Sequence, residues 1–143
     1  MGYKIFLDTN IILDLLMERK YELDSINEIF KLAGKEIINL YISESIITTT
    51  FYILRKEKRI DTLAAFREMF KTVNVIPFST DILYYPLEKY EDSEDGILYF
   101  LAYKAKMNFF ITRNVKDFKF LFPSLPVLSP AIFLKEIYLN DLS

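Results

Sequence analysis

The chain has no cysteine, no histidine and no tryptophan. Without thiols there is no disulfide and no thiolate metal site. Without imidazole, general acid–base work falls to carboxylates, hydroxyls, Lys, Arg or a bound metal. Glycine is scarce, 3 in 143 residues, so neither a P-loop nor a GxGxxG phosphate cradle can be built. Charge of one sign is lacking too. Against 18 Lys and Arg stand 20 Asp and Glu, a formal net charge of −2. Composition alone therefore does not point to nucleic acid, and such a reading has to rest on local sites. No segment approaches the roughly 18 consecutive apolar residues of a transmembrane helix. Asp8 and Asp14 break the N-terminal apolar stretch, which is then no signal-peptide core. The expectation is a soluble cytoplasmic protein with no membrane partner.

What is present is core material. Hydrophobic residues make up 52% of the chain, enough for a single domain over residues 1–143. Apolar runs at Tyr3–Leu7, Ile37–Ile42, Val73–Ile76, Phe109–Thr112 and Val127–Leu128 read as strands. Between them, apolar residues recur at helical spacing over Ile11–Met17, Leu23–Ala33, Ser45–Lys56, from Asp61 to Phe70, and from Ser93 to about Lys106. Thr9 or Asn10 caps the first helix, Gly34 ends the second, Ser79-Thr80-Asp81 starts a helix near Leu87, and Pro130 opens a last one. Alternating strands and helices imply parallel strands joined by helical crossovers, a three-layer α/β/α sandwich around a parallel sheet.

Three acidic segments stand where strands should end or helices begin: Asp8-Thr9-Asn10, Asp92-Ser93-Glu94-Asp95-Gly96, and Thr112-Arg113-Asn114 with Asp117. In open α/β sheets ligands bind beyond the carboxyl ends of the strands, where strand order reverses. If the first and fourth strands are neighbours, Asp8, Asp92, Asp95, Asn114 and Asp117 converge there. Gathered carboxylates repel unless a cation relieves them. An all-oxygen donor set favours Mg²⁺ or Mn²⁺, and such an ion supports phosphodiester hydrolysis without histidine. Each acid has a plainer reading: Asp8 as a helix cap, Asp92 and Asp95 as first-turn acids, Asp117 as a turn cap. Of the basic residues, Arg113 lies inside the candidate site, while Arg55, Lys56, Lys58 and Arg59 read as a solvated helix end balanced by Glu57 and Asp61.

With Phe6-Leu7-Asp8-Thr9-Asn10-Ile11, Asp95-Gly96-Ile97, Ile111-Thr112-Arg113-Asn114, Asp117-Phe118 and Pro126-Val127-Leu128-Ser129-Pro130 in this order, the chain resembles the PIN domain family. Within that family it resembles the VapC-like toxin ribonucleases. The resemblance implies a PIN-like, Rossmann-like α/β/α fold, a Mg²⁺ or Mn²⁺ cofactor and cleavage of single-stranded RNA. It also implies a homodimer and an antitoxin partner. By motif, Asp8 and Asp95 look like metal-binding acids, with Asp92 as an accessory ligand. Asp8, Asp95 and Asp117 look like the catalytic set, and Asn10, Thr112, Arg113 and Asn114 like the substrate side. One departure stands out. The family carries a Glu on the helix after the second strand, and here that slot falls at Thr49. A weakened site kept for binding RNA or a partner is the competing reading. An aspartyl-phosphate enzyme is a third, but Asn10 stands where its second Asp belongs.

Overall fold

A computed structural model describes residues 2–118 and 125–137. Five strands, β1 (Tyr3–Leu7), β2 (Ile38–Ser43), β3 (Val73–Ile76), β4 (Phe109–Ile111) and β5 (Val127–Leu128), form one sheet in the order β3-β2-β1-β4-β5. Every pairing is parallel. Among the described residues six α-helices accompany them: α1 (Thr9–Met17), α2 (Leu23–Gly34), α3 (Glu44–Lys56), α4 (Leu63–Met69), α5 (Ser93–Lys104) and, after β5, α6 (Pro130–Ile137). The chain steps from β1 to β2 to β3 on one side, then returns to place β4 on the other side of β1. Right-handed crossovers put α1 to α4 on one face and α5 on the opposite one. The result is the three-layer α/β/α sandwich.

A parallel sheet covered on both faces needs apolar strands rather than alternating ones. Ile5, Phe6 and Leu7 are fully buried in succession, as are Phe110 and Ile111. On the α5 face the core is aromatic. Phe6 stacks on Phe110 at 5.2 Å between centroids, and Phe118 lies 4.7 Å from Phe110. Tyr99 of α5 packs against Phe110 at 5.8 Å and donates its hydroxyl to the Leu125 carbonyl at 3.2 Å. Offset and tilted pairs of this kind add to the burial of large rings.

Several helix boundaries differ from the sequence expectation, each for a local reason. The first helix begins at Thr9, and Asp8 is its cap. Gly34 stays helical, and the left-handed residue after α2 is Glu36, at φ 60°. Glu18, Lys58 and Lys106 also take positive φ just past helix ends. A chain this poor in glycine ends its helices on long charged residues instead, at roughly 1–2 kcal/mol of backbone strain each. The helix expected from Asp61 is a 3₁₀ turn, Ile60–Thr62, followed by α4. The one expected near Leu87 is two 3₁₀ turns, Thr80–Tyr84 and Leu87–Lys89, split by Pro86, which has no N–H to continue the first. No helix among the described residues is long and apolar enough to cross a membrane.

Candidate functional site

The order in which the chain adds strands reverses between β1 and β4, and the polar residues that follow these two parallel strands meet there. The Asp8 backbone N–H donates to the Ile111 carbonyl at 3.0 Å, joining the two strand ends. The Asp8 carboxylate is 5% exposed and held from two sides. Oδ1 accepts from the Thr9 backbone N–H at 2.8 Å, and Oδ2 accepts from the Thr112 hydroxyl at 2.8 Å. The Thr112 hydroxyl in turn accepts from the Asn114 N–H at 3.1 Å. Asp8 is thus at once a helix cap and a wall of the cleft, so the plainer reading and the functional one describe the same side chain.

Asp92 caps α5 by accepting from the Glu94 N–H at 2.9 Å. A cavity of about 280 Å³ lies between these elements. Asp8, Asn10, Asp92, Asp95, Asn114 and Asp117 all line it. A neighbouring hollow of about 520 Å³ shares Asp92, Asp95 and Asp117 and adds Glu91 and Lys116. A similarly roomy space of about 500 Å³ lies elsewhere, walled by Leu15, Leu23, Phe30 and Met69. Its lining is mostly apolar, and the gathered carboxylates mark the smaller cavity as the chemical one.

Electrostatics separate these acids from ordinary surface carboxylates. Burial pushes the Asp8 carboxyl up, against the pull of its two hydrogen bonds, and Glu94 adds to the rise. Burial and then the charges of Asp8, Asp92, Asp117 and Glu94 push Asp95 up to about 7. Such repulsion is what a bound cation removes. Among the described residues no three carboxylates are placed to close on one ion by themselves. The donor chemistry still fits Mg²⁺ or Mn²⁺, because Mg²⁺ is commonly held by one or two carboxylates and keeps several waters.

A family model described as PIN domain matches residues 4–116. The chain belongs to the PIN domain family. It is 29% identical to Ribonuclease VapC1 of Aquifex aeolicus (strain VF5), over 93% of this chain and 94% of that protein. Its fold is that of two solved structures. One is a Rickettsia felis VapBC2 structure bound to a promoter DNA fragment, with TM-score 0.68 and 20% identity, covering 87% of this chain and 96% of that one. The other is a toxin–antitoxin complex from Klebsiella pneumoniae, with TM-score 0.63 and 24% identity, covering 88% and 97%.

Two features of the site bear on the expectations drawn from the sequence. Thr49, with Ile53 one turn on, lines the cavity from α3. Glu44, the acid on the same helix, accepts from the Phe78 backbone N–H at 2.6 Å, at the end of β3. Arg113, expected on the substrate side, lies instead on the fully buried Asp14 of α1, with Nε at 2.7 Å and Nη2 at 3.3 Å. The Tyr21 ring covers this guanidinium at 3.9 Å. Thr112 is fully buried and bonded to Asp8.

Sequence reasoning passed over Glu94, which also lines the cavity. The signal was available. Cβ atoms tilt toward a helix N-terminus, so every acid in the first turn of a helix aimed at a cleft can reach it. Gly96 has a packing role beside this turn. A Cβ there would stand 2.8 Å from Cδ2 of the buried Tyr90 ring and 3.3 Å from Leu87 Cδ2. Gly96→Ala gains about 1 kcal/mol of helix propensity but overpacks a filled site, which typically costs about 1–3 kcal/mol. A lower urea midpoint is expected. A midpoint at or above that of the unaltered chain would mean the Tyr90 ring yields freely.

Proposed function

We propose that this chain is a metal-dependent endoribonuclease acting on single-stranded RNA, the toxin of a toxin–antitoxin pair. The observation that carries the reading is the one cavity at the β1/β4 switch point where Asp8 and Asp95 face each other's charge. PIN family membership and the likeness to Ribonuclease VapC1 support the reaction class. The likeness in fold to the VapBC2 structure and to a toxin–antitoxin complex supports a cognate antitoxin.

In this reading Asp8 and Asp95 hold Mg²⁺ or Mn²⁺, with Asp92 as an accessory acid beside them. The bound ion would polarise the phosphate and acidify a water. Thr112 and the Thr9 N–H fix the direction in which Asp8 points. Asn10 and Asn114, on the cavity wall, offer amide groups to the phosphate or ribose. Asp117 stands beside them to accept a proton. A homodimer is part of the proposal, with α3 as its surface, where Tyr52 is 66% exposed; α1, the other expected surface, has no exposed residue.

Thr49 on the cavity wall favours a second reading, a PIN domain kept for binding with its catalysis weakened. Incubation of the purified chain with single-stranded RNA in Mg²⁺ or Mn²⁺ and in EDTA separates the two. Cleavage that EDTA abolishes is expected. RNA retained but uncut in both metals would leave the binding module.

A further inference from the structure

We infer that Glu94 supplies to the cation site the carboxylate that Thr49 withholds, so that the acid missing from α3 is replaced from the first turn of α5. This rests on the metal-dependent reading above.

Thr49 and Glu94 line the same cavity from different helices, together with Asp8 and Asp95. The chain is anchored on both sides of Glu94. Its own N–H donates to the Asp92 carboxylate at 2.9 Å, and the Asp95 N–H donates to the Asp92 carbonyl at 3.1 Å. The side chain leaves the second position of the helix, where the Cα–Cβ bond tilts toward the N-terminus and hence the cleft. It is exposed, so it can turn toward an arriving ion without unpacking anything. Among the described residues it is in no ion pair. Its charge already acts on both Asp8 and Asp95.

The alternative acid is otherwise engaged. Glu44, at the start of the same helix as Thr49, is bonded to the Phe78 N–H beyond β3. Asp92 has one carboxylate oxygen on the helix it caps. Glu94 lines the cavity with no such duty and, unlike Asp117 on the turn after β4, starts from the first turn of a helix. Ligand charge count sets divalent-ion affinity in carboxylate sites, so moving a carboxylate from α3 to α5 preserves the charge while changing its origin.

The test is Mn²⁺ binding to the full chain, read by the loss of the free-ion electron paramagnetic resonance signal, with no RNA present. Glu94→Gln is expected to weaken binding by at least the about 10–100-fold that loss of an outer-shell partner costs. Urea midpoints in EDTA should not fall, because the residue is exposed and its loss only relieves repulsion on Asp8 and Asp95. Adding Thr49→Glu to Glu94→Gln should restore affinity, since a carboxylate then enters the same space from α3. Unchanged Mn²⁺ affinity in Glu94→Gln overturns the inference and leaves the nuclease reading standing. Weakened binding without rescue also overturns it, because Glu94 would then act through its helix and not as a ligand. No Mn²⁺ binding by the unaltered chain removes the cation site itself, and the inference falls with it.

Discussion

Asp95→Asn is expected to lower metal-dependent RNA cleavage by about 10²–10³, the usual cost of losing one transition-state-stabilising group, while making the metal-free protein more stable at pH 8. The two effects share a cause. Burial and the charges of Asp8, Asp92, Asp117 and Glu94 push Asp95 up to about 7 from 3.8. The folded metal-free chain therefore holds this proton more tightly than the unfolded chain does. The stability linked to that proton is fully present below about 3.8, falls as pH rises, and is gone above about 7. Asn mimics the protonated carboxyl at every pH. Its advantage in EDTA should be largest at pH 8, shrink toward pH 5 and vanish below pH 4. Thermal melts at those pH values, paired with cleavage assays in Mn²⁺, check both halves. Asp95→Asn melting at or below the unaltered chain at pH 8 would mean the carboxylates are not in mutual repulsion. Equal cleavage by both forms would point to a contaminating nuclease.

The convergence of Asp8, Asp95 and Asn114 was legible because it follows from topology. Short apolar runs bounded by turn residues mark the strands, and parallel connection puts all their carboxyl ends on one edge. The bounds of β1, β3 and β5 come out as expected for the same reason. Helix ends were less legible. Which residue takes the left-handed conformation after α2 depends on how Glu36 and Ile37 bond back to the Ala33 and Leu32 carbonyls, not on the nearest glycine. Pro86 sits where a helix seemed to continue, and two short turns result. The side-chain partners were least legible. Asp14 reads from the sequence as an interruption of an apolar helix, because its partner Arg113 is 99 residues away. Glu94 was overshadowed by the two acids that flank it at cap and first-turn positions.

Removing Arg113 separates the sequence expectation from the structure. The sequence suggests a phosphate contact, and the structure places the guanidinium on Asp14. Side-chain exposure is 19% for Arg113 and 0% for Asp14. Arg19 is the second cation on Asp14, but at 3.6 Å it is a looser partner. Arg113→Ala therefore leaves the buried carboxylate with Arg19 alone as its countercharge, at 3.6 Å. Breaking a buried pair from one side typically costs about 3–5 kcal/mol, a large share of the roughly 5–15 kcal/mol that holds a domain of this kind together. The urea midpoint should fall accordingly. The anchor also ties α1 to the turn that carries Thr112 and Asn114, so the Thr112 hydrogen bond to Asp8 loosens with it. Asp14→Leu combined with Arg113→Met should recover most of the stability, because well-packed apolar residues commonly match a buried ion pair. Should Arg113→Ala instead keep its midpoint within about 0.5 kcal/mol, the range of an ordinary surface change, and lose RNA affinity with a shallower salt dependence, the guanidinium would be a phosphate contact. Asp14 would then be satisfied by Arg19.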